Sequence, residues 1–406
     1  MFKEKRIAQF EKYGMGVFIH FGLYSLLEKG EWSYHLHNRN FEEYRKLMDD
    51  FTVENLDWRA IARMVKKAGG KYITLTTRHH DGFSLYDTRG LSDFDAPHSA
   101  AKRDIIADFV EGCRAEGVVP FFYHTIIDWT CPLYKEDFHA YQQYLIDSVE
   151  VLCTQYGEIG GLWFDGFWTS DDLPEPWRKD DLYSMIRRHQ PNAMIINNTG
   201  LHALGEVGAG EIDSVTFERG KPSQIDRSGK YVAMEMCQIF NSHWGIAGQD
   251  INYKSMSDIL GDLADCRRYG ANLLLNFGPK GDGSVRLIEQ GYFEELSKWN
   301  EKFGVSLSAL PCEVQSDAEH AFVIKDEEKY YLYVKNVPMA ADPNVQHGGG
   351  IQPFTLSGCK AVRKIVNMDD GSEVKFTQDG DKVTVDAGFF NYGCDWVIRV
   401  AEVVFA

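Results

Sequence analysis

The sequence has few basic residues for its size, and those it has are not clustered. It contains 43 Lys and Arg against 60 Asp and Glu, which gives a net charge of −17 at pH 7. No basic stretch exceeds short patches such as Lys3–Arg6 and Arg187–Arg188. Proteins that bind nucleic acids or anionic membranes present clustered Lys and Arg to them. The composition therefore argues against a nucleic-acid or membrane partner and favours a neutral substrate.

Long apolar segments and paired cysteines are also missing. No window approaches the roughly 18 apolar residues of a transmembrane helix, and Met1–Phe10 is charged and amphipathic, unlike a secretory signal. The eight cysteines are scattered without a Cys-x-x-Cys pair. This is the pattern of reduced, buried thiols, and it indicates neither a disulfide framework nor a zinc site. The sequence thus predicts no transmembrane helix and a cytoplasmic protein.

The chain is long and contains many aromatic residues. A chain of 406 residues fits one α/β barrel of roughly 250–300 residues plus a smaller module. It contains 25 Phe, 20 Tyr and 9 Trp. Aromatic rings form flat platforms in sugar-binding clefts, but large cores also use them. Composition alone favours the core.

Short apolar runs alternate with helical stretches over most of the chain. The runs are apolar through most of their length, which is typical of strands buried on both faces. The predicted strands are Gly16–His20, Tyr72–Thr76, Val118–Tyr123, Gly161–Asp165, Ala193–Asn197, Ser214–Phe217, Tyr231–Met236 and Asn272–Phe277. A glycine that can cap a helix end follows each predicted helix. These helices are Trp58–Ala68, Asp104–Ala115, Tyr141–Tyr156 and Ile259–Tyr269.

Alternating strands and helices fit either a closed barrel or a doubly wound sheet. The polar side chains favour the barrel, because nearly every apolar run ends in a chemically useful residue. Examples are His20, Tyr123, Asp165, Asn197 and Glu218. In a barrel all strand C-termini face one mouth, so these groups converge there. We therefore predict an α/β fold with a (β/α)₈-like TIM barrel over residues 1–305.

The pattern changes in the last quarter of the chain. Short β-prone runs follow one another there, separated by turns such as Asp370-Gly371 and Asp379-Gly380, and no convincing helix appears. The pattern predicts a C-terminal antiparallel β-sandwich over residues 306–406. Residues 340–350, which include three consecutive glycines, are predicted to form a loop.

Asp165 ends the fourth apolar run and is followed by Gly166, which places a carboxylate at the predicted mouth. Taken alone, an Asp after a strand is as often the N-cap of the next helix as it is a functional residue. Glycoside hydrolysis needs a second carboxyl group, which protonates the leaving oxygen. Glu218 lies past the sixth run, whereas Glu235 lies within the seventh, where a carboxylate is costly unless paired. Glu235 therefore suits an orienting or hydroxyl-binding role, and a buried salt bridge is the structural alternative for both glutamates.

His79 and His80 are adjacent, so their side chains point in different directions. Metal ligation favours His-x-His or His-x₃-His spacing, and we predict neither a metal nor another cofactor. Neutral imidazoles that bond sugar hydroxyls are the better interpretation, with a purely structural histidine as the alternative for at least one. Glu31 and Trp32 offer a carboxylate and a ring that can hold the hydroxyls and methyl face of a deoxy sugar.

These stretches together resemble the α-L-fucosidases of glycoside hydrolase family 29. The His-His-Asp-Gly-Phe and Leu-Leu-Asn-x-Gly-Pro-x-x-Asp-Gly signatures are specific, and the matching stretches recur in the family's order. They are Tyr13–Ser25, Glu31-Trp32, Arg78–Phe83, Ile127–Trp129, Leu162–Gly166, His243–Gly245, Asn272–Pro279 and Asp282-Gly283.

The resemblance implies a retaining, metal-free exo-hydrolase that cleaves terminal α-L-fucosides from fucosylated oligosaccharides or glycosides. The family's nucleophile falls on Asp165 and its acid/base on Glu218. A Trp-Glu motif of the family's seventh strand matches Glu235, although Met234 replaces the Trp, so the acid/base stays open between the two glutamates. The substrate-binding positions fall on His20, Glu31, Trp32, His79, His80, Tyr123, Trp163 and Glu235.

Three departures from the family pattern bear on how the sugar and the leaving group are bound. Asn197-Asn198-Thr199 stands where many members have Asn-Asp-Arg, which removes a substrate-contacting arginine unless Arg219 or a neighbouring subunit of a homo-oligomer supplies one. Ser33 and Ile246 stand where tyrosine is common. Three other functions stay open: a retaining exo-glycosidase for a related sugar such as galactose, a catalytically inactive sugar-binding protein, and a metal-dependent barrel hydrolase.

Overall fold

The computed structural model describes residues 3–168, 173–227, 229–340 and 352–406. Eight parallel strands form a closed barrel in chain order, and the eighth strand pairs with the first. The strands are β1 (Met15–Ile19), β2 (Tyr72–Arg78), β3 (Val119–Thr125), β4 (Gly161–Asp165), β5 (Met194–Asn197), β6 (Ser214–Thr216), β7 (Ala233–Ile239) and β8 (Asn272–Phe277). The predicted parallel barrel is confirmed.

The helices of the described residues surround the barrel or lie in its loops. They are α1 (Lys5–Glu11), α2 (Ser33–Leu36), α3 (Phe41–Arg45), α4 (Trp58–Lys67), α5 (Ile105–Glu116), α6 (Leu133–Glu136), α7 (Phe138–Gln155), α8 (Lys179–His189), α9 (Met256–Tyr269) and α10 (Leu287–Phe303). Short 3₁₀ helices span Leu23–Leu27, Lys46–Asp49, Ala96–His98 and Gly304–Ser308. No helix in these described ranges is long and apolar enough to cross a membrane.

The helix ends follow from local sequence chemistry. The Asp104 carboxylate accepts hydrogen bonds from the first free N–H groups of α5, and Gly117 ends that helix with a left-handed φ of 70°. Ser255 and Asp258 form a reciprocal capping box at the start of α9, and Gly270 ends it with a φ of 76°. The predicted glycine stops of both helices are confirmed.

The N-terminal end of the barrel is filled by a side chain of α1. Phe10 of α1 packs there against the rings of Tyr72 and Phe121, at centroid distances of 5.4 and 5.8 Å. The strands β1, β2 and β8 are buried along their whole length. Apolar and aromatic side chains thus fill the barrel interior below the mouth.

The connections around β6 differ from a regular barrel. The structure describes no helix between β5 and β6, over residues 198–213, and none among the described residues between β6 and β7. The first residues of the β5–β6 connection, 198–202, instead border a cavity at the mouth. Loops on this side of the barrel therefore take part directly in the candidate site.

The seventh strand lies farther along the chain than the sequence predicts. The prediction was Tyr231–Met236, but β7 spans Ala233–Ile239 because its last residues continue to pair with β8. Glu235 is consequently the third residue of β7, opposite Asn272, which begins β8. This register places Glu235 deep in the barrel, below the mouth.

Two antiparallel sheets follow the barrel, as predicted. They contain β9 (Leu310–Pro311), β10 (Gln315–Ser316), β11 (Ala321–Asp326), β12 (Lys329–Lys335), β13 (Phe354–Ser357), β14 (Val362–Asn367), β15 (Lys375–Asp379), β16 (Lys382–Asp386) and β17 (Ile398–Phe405). The sheet orders are β10-β13-β16-β15 and β14-β17-β12-β11-β9. The five-stranded sheet also contacts the barrel, where the Trp299 indole donates to the Ile398 carbonyl at 3.1 Å. Apart from Ala340, the predicted loop at 340–350 lies outside the described residues.

Candidate active site

A cavity of about 540 Å³ opens at the C-terminal end of the barrel. Most of the predicted site residues line it, and they come from different strands or the loops that follow them. These are His20, Trp32, His79, Tyr123, Trp163, Asp165 and Glu218. His80 lies directly beside Asp165, whereas Glu31 and Glu235 are not part of the cavity lining.

Asp165 is surrounded by hydrogen-bond donors. The Trp168 indole and the Asn198 amide reach its Oδ1 at 3.1 and 3.0 Å. The Tyr123 hydroxyl donates to its Oδ2 at 3.1 Å, and His80 Nε2 lies 3.4 Å from the same oxygen. Burial alone would raise the pKa of this carboxyl, but the contacts with His80, Trp168 and Asn198 outweigh burial and lower it. Asp165 is therefore held as a carboxylate.

Glu218 has the opposite electrostatic environment. Burial, and next the negative charge of Asp165, raise its pKa to about 7, although a hydrogen bond from Asn198 opposes the shift. The two carboxyl groups thus have pKa values pushed apart by their surroundings. This difference is the general mark of an acid and a base that act in one reaction.

The Asn198 amide joins these two carboxyl groups. Its Nδ2 donates to Asp165 Oδ1 at 3.0 Å and to Glu218 Oε2 at 2.7 Å. Its Oδ1 accepts from the Gly200 N–H and the Thr216 hydroxyl, each at 3.2 Å. The amide orientation is fixed by these four partners, because only the nitrogen can donate to two carboxyl groups.

His20 and His79 are buried and uncharged. Burial lowers the pKa of His20 to about 3 and the pKa of His79 well below its ordinary value. His20 Nδ1 lies 2.6 Å from Asn276 Oδ1, and the Asn276 amide nitrogen donates to the Trp244 carbonyl. The Asn276 oxygen therefore accepts from Nδ1, which leaves His20 Nε2 as an acceptor. His79 Nδ1 has no hydrogen-bond partner among the described residues.

Thr125 orients His80 toward Asp165. The His80 Nδ1 atom lies 2.6 Å from Thr125 Oγ1, and that hydroxyl also contacts the Ile127 carbonyl at 2.7 Å. One ring nitrogen is thus held by the end of β3, so the other faces the Asp165 carboxylate. This contact was not foreseen in the sequence, where His80 was assigned to the sugar hydroxyls.

Glu31 and Glu235 support residues of the cavity without lining it. Glu31 Oε2 accepts from the Gly245 N–H at 2.8 Å, beside Trp244, and burial raises its pKa. Glu235 is fully buried and bonds the Tyr72 hydroxyl and, at 2.9 Å, the Trp163 indole. Both oxygens of Glu235 are thereby paired with protein side chains, one of which, Trp163, lines the cavity.

Several residues of the cavity were not assigned to the site from the sequence: Phe18, Trp168, Asn198, Thr199, Gly200, Leu201, His202 and Trp244. The sequence signal that could have identified Asn198 as a site residue is its position directly after the fifth predicted strand. No sequence pattern described above singles out Trp168, and Trp244 stands only within the matching stretch His243–Gly245. The described residues include no group of three His, Cys, Asp or Glu side chains placed to hold a metal ion.

Two carboxyl groups with separated pKa values, set among histidines and aromatic rings at the mouth of a parallel barrel, are typical of glycoside hydrolases. The chain belongs to the α-L-fucosidase family, glycoside hydrolase family 29. The family model described as alpha-L-fucosidase matches residues 2–305.

Individual proteins that are similar to this chain over most of its length are also described as alpha-L-fucosidases. The tissue alpha-L-fucosidase of Homo sapiens is 24% identical over 413 residues, which cover 92% of this chain and 83% of that protein. A putative alpha-L-fucosidase of Caenorhabditis elegans is 23% identical over 70% of this chain and 63% of its own length. The solved structure of alpha-L-fucosidase isoenzyme 1 from Paenibacillus thiaminolyticus superposes with a TM-score of 0.85 at 30% identity, over 99% of both chains.

Proposed function

We propose that this protein is a retaining, exo-acting α-L-fucosidase in which Asp165 is the nucleophile and Glu218 the acid/base. The observation that carries the proposal is the single amide nitrogen between the two carboxyl groups. Because Asn198 Nδ2 lies 3.0 Å from one oxygen and 2.7 Å from the other, their separation cannot exceed the sum of these contacts. This limit applies to the two nearest oxygens, and it is compatible with the about 5–5.5 Å separation of retaining enzymes.

In the first step, the Asp165 carboxylate attacks the anomeric carbon while the bond to the leaving oxygen breaks. The Glu218 carboxyl proton passes to that oxygen, and a covalent fucosyl-enzyme forms. In the second step, Glu218 removes a proton from water, which displaces Asp165 from the anomeric carbon. A relative from Bacteroides thetaiotaomicron has been solved as a trapped covalent intermediate in complex with 2-fluoro-fucosyl fluoride, which supports this covalent route.

The cavity interior suits a neutral deoxy sugar. His20 and His79 line the cavity, and His20 Nε2 can accept from a ring hydroxyl, since Asn276 holds its Nδ1. The ring of Phe18 lies 5.1 Å from Trp163 and 6.0 Å from Trp244 between centroids, which forms an apolar wall. An apolar wall fits the methyl group of fucose better than the hydroxymethyl group of galactose.

A catalytically inactive sugar-binding protein is the main alternative from a different class. A binding protein needs hydrogen-bond partners for the sugar, but it gains nothing from two carboxyl groups with oppositely shifted pKa values. Burial of two neighbouring carboxyl groups costs folding free energy, and a reaction that needs an acid and a base explains why such a costly pair is present. The environments of Asp165 and Glu218 therefore favour catalysis.

We expect the purified protein to release nitrophenol from 4-nitrophenyl α-L-fucoside. The matched 4-nitrophenyl α-L-galactoside, which adds only a hydroxyl at C6, should have a kcat/KM about 10²-fold lower, because an apolar pocket rejects one added hydroxyl by about this factor. Steady-state rates measure the ratio. Proton NMR of the reaction should show α-L-fucose as the first sugar released, which is the retained anomer.

Four outcomes would contradict parts of the proposal. Equal rates on both sugars would mean that the pocket does not distinguish the C6 methyl group from a hydroxymethyl group. The β-anomer as the first product would exclude retention. Fucose binding in a calorimeter without hydrolysis of nitrophenyl or oligosaccharide fucosides would favour the sugar-binding alternative, and loss of activity with a chelator would favour the metal-dependent one.

A further inference from the structure

The cavity extends beyond the space around the two carboxyl groups. Its volume of about 540 Å³ lies in the range of roughly 300–1,000 Å³ that takes drug-sized ligands, which are larger than one deoxy sugar. Trp168 and the loop residues 199–202 line its outer part. This loop directly follows Asn198, which bonds Glu218. Asn198 and Trp168 also bond Asp165, so the outer part adjoins both carboxyl groups.

Two large apolar side chains of this outer part are exposed. Leu201 and Trp168 line the cavity, yet they are 54% and 40% exposed. Gly200 holds the loop against Trp168, because a Cβ at this position would lie only 3.2 Å from two atoms of the tryptophan, and its φ of +81° is left-handed. Exposed apolar side chains grouped at a cavity rim are typical of a ligand-binding surface.

We propose that Leu201 and Trp168 form a subsite for the leaving group, and that this subsite selects a neutral leaving group with an apolar face, such as an aryl group. The proposal rests on the fucosidase function, since an exo-acting enzyme holds the terminal sugar in the cavity interior and the leaving group then points toward the exposed rim. The lining residues that the structure describes include no Lys or Arg, so an anionic leaving group would meet Asp165 and Glu218 without a counter-charge.

We expect Leu201→Ser to lower kcat/KM for 4-nitrophenyl α-L-fucoside about tenfold, because part of the buried apolar contact with the aryl ring is lost. The kcat/KM for α-L-fucosyl fluoride should change by less than about twofold, since its leaving group is a single atom. Leu287→Ser is the matched control, because Leu287 is 83% exposed at the start of α10, away from the cavity. It should leave both values unchanged.

Hydrolysis of the fluoride by the wild-type protein establishes fucosidase activity independently of the subsite. If Leu201→Ser lowers both values equally, or neither, the subsite proposal is wrong while the fucosidase function stands. If the wild-type protein hydrolyses neither substrate, the proposed function itself is wrong and the subsite is rejected with it.

A separate observation, the fixed amide of Asn198, supports a second inference. We infer that Asn198 is a positioning residue that holds Asp165 and Glu218 at their working separation, with one N–H group bonded to each. The Gly200 N–H and the Thr216 hydroxyl keep the amide oxygen turned away from the carboxyl groups. A hydrogen-bond donor between two carboxyl groups also offsets their mutual repulsion. This role likewise rests on the proposed mechanism.

The charged groups around the pair determine what removal of the amide should do. Asp165 faces His80, Tyr123 and, farther away, His20 as well as Asn198. Glu218 faces Asp165, Arg219 and, farther away, Glu31, and both carboxyl groups act on Tyr123 and Cys237. Donation by Asn198 favours the charged form of each carboxyl group and so lowers both pKa values. Loss of the amide should raise both, because the other neighbours are unchanged.

We expect Asn198→Ala to lower kcat/KM about 10²-fold and to move both limbs of its pH profile upward by about one pH unit. The acidic limb reports Asp165, which must be ionised, and the basic limb reports Glu218, which must be protonated. Asn197→Ala is the matched control, because the Asn197 amide donates away from the pair to the Tyr183 hydroxyl. It should lower thermal stability without moving either limb.

If both limbs of the pH profile stay in place in Asn198→Ala, this inference is wrong and the fucosidase function still stands. A second measurement does not depend on turnover. Carbon NMR titration of protein labelled at the Asp and Glu carboxyl carbons should show the Asp165 and Glu218 resonances titrating at higher pH in Asn198→Ala than in the wild type. Unchanged titrations would overturn the inference even in a protein without fucosidase activity.

Discussion

Asp165→Asn is expected to lower kcat for α-L-fucosides by about 10⁴-fold or more, as removal of a nucleophile does in other hydrolases. An amide cannot form the glycosyl ester, so the first step has no substitute within the cavity. The environment of Asp165 is specific to the carboxylate, since the contacts with His80, Trp168 and Asn198 together lower its pKa despite burial. Single-turnover kinetics with 4-nitrophenyl α-L-fucoside would measure the loss.

The same substitution should leave the fold almost unchanged. The oxygen of the new amide can still accept from the Trp168 indole and the Asn198 amide, which contact Asp165 Oδ1. Its nitrogen would then face Tyr123, whose hydroxyl can accept as well as donate. Because each partner keeps a contact, we expect the free energy of unfolding to change by less than about 1 kcal/mol. Thermal denaturation would test this.

Asp95→Asn provides a control for the loss of a buried carboxylate elsewhere. Asp95 is buried outside the cavity, where it bonds the Thr88 hydroxyl and the His98 N–H. Its replacement should reduce stability and leave turnover near the wild-type value. Near-normal turnover of Asp165→Asn would exclude Asp165 as the nucleophile. In Asp165→Gly, azide should restore fucosyl transfer and give the azide of inverted configuration, because the nucleophile's face is then open.

The features that the sequence predicts well are those determined by local patterns. Asp165 ends a short apolar run, and a strand end at the mouth of a parallel barrel is sufficient to place it. The helix ends at Gly117 and Gly270 follow from the need for a left-handed residue. His20 and Tyr123 likewise lie where strand periodicity places them. None of these positions depends on a distant part of the chain.

Features that depend on strand register or on distant partners could not be read from the sequence. β7 extends three residues beyond its predicted end, so Glu235 lies near its start and deep in the barrel. The apolar composition of the strand does not show how far its pairing with β8 continues. Glu31 bonds the backbone of Gly245, a residue distant in sequence. Asn198 is identified as a link between two carboxyl groups only when β4, β5 and β6 are neighbours.

Glu218→Ala should give the second large effect, and its size should depend on the leaving group. We expect kcat/KM to fall about 10³-fold for a fucosyl disaccharide, whose leaving oxygen needs a proton. The loss should be smaller for 4-nitrophenyl α-L-fucoside, because nitrophenolate leaves without one. In the wild type, burial and Asp165 raise the pKa of Glu218 to about 7. Wild-type kcat/KM should therefore decrease as the pH rises above about 7, and this limb should disappear in Glu218→Ala.

Azide should accelerate Glu218→Ala with the nitrophenyl substrate and give an α-L-fucosyl azide of retained configuration, since Asp165 still forms the intermediate that azide intercepts. Glu235→Ala is the comparison, because Glu235 is the other glutamate that matches a family motif. Its carboxyl group bonds Tyr72 and Trp163 below the cavity, so its loss should reduce stability and raise KM through Trp163, without azide rescue. Rescue of Glu235→Ala and not of Glu218→Ala would exchange the two roles.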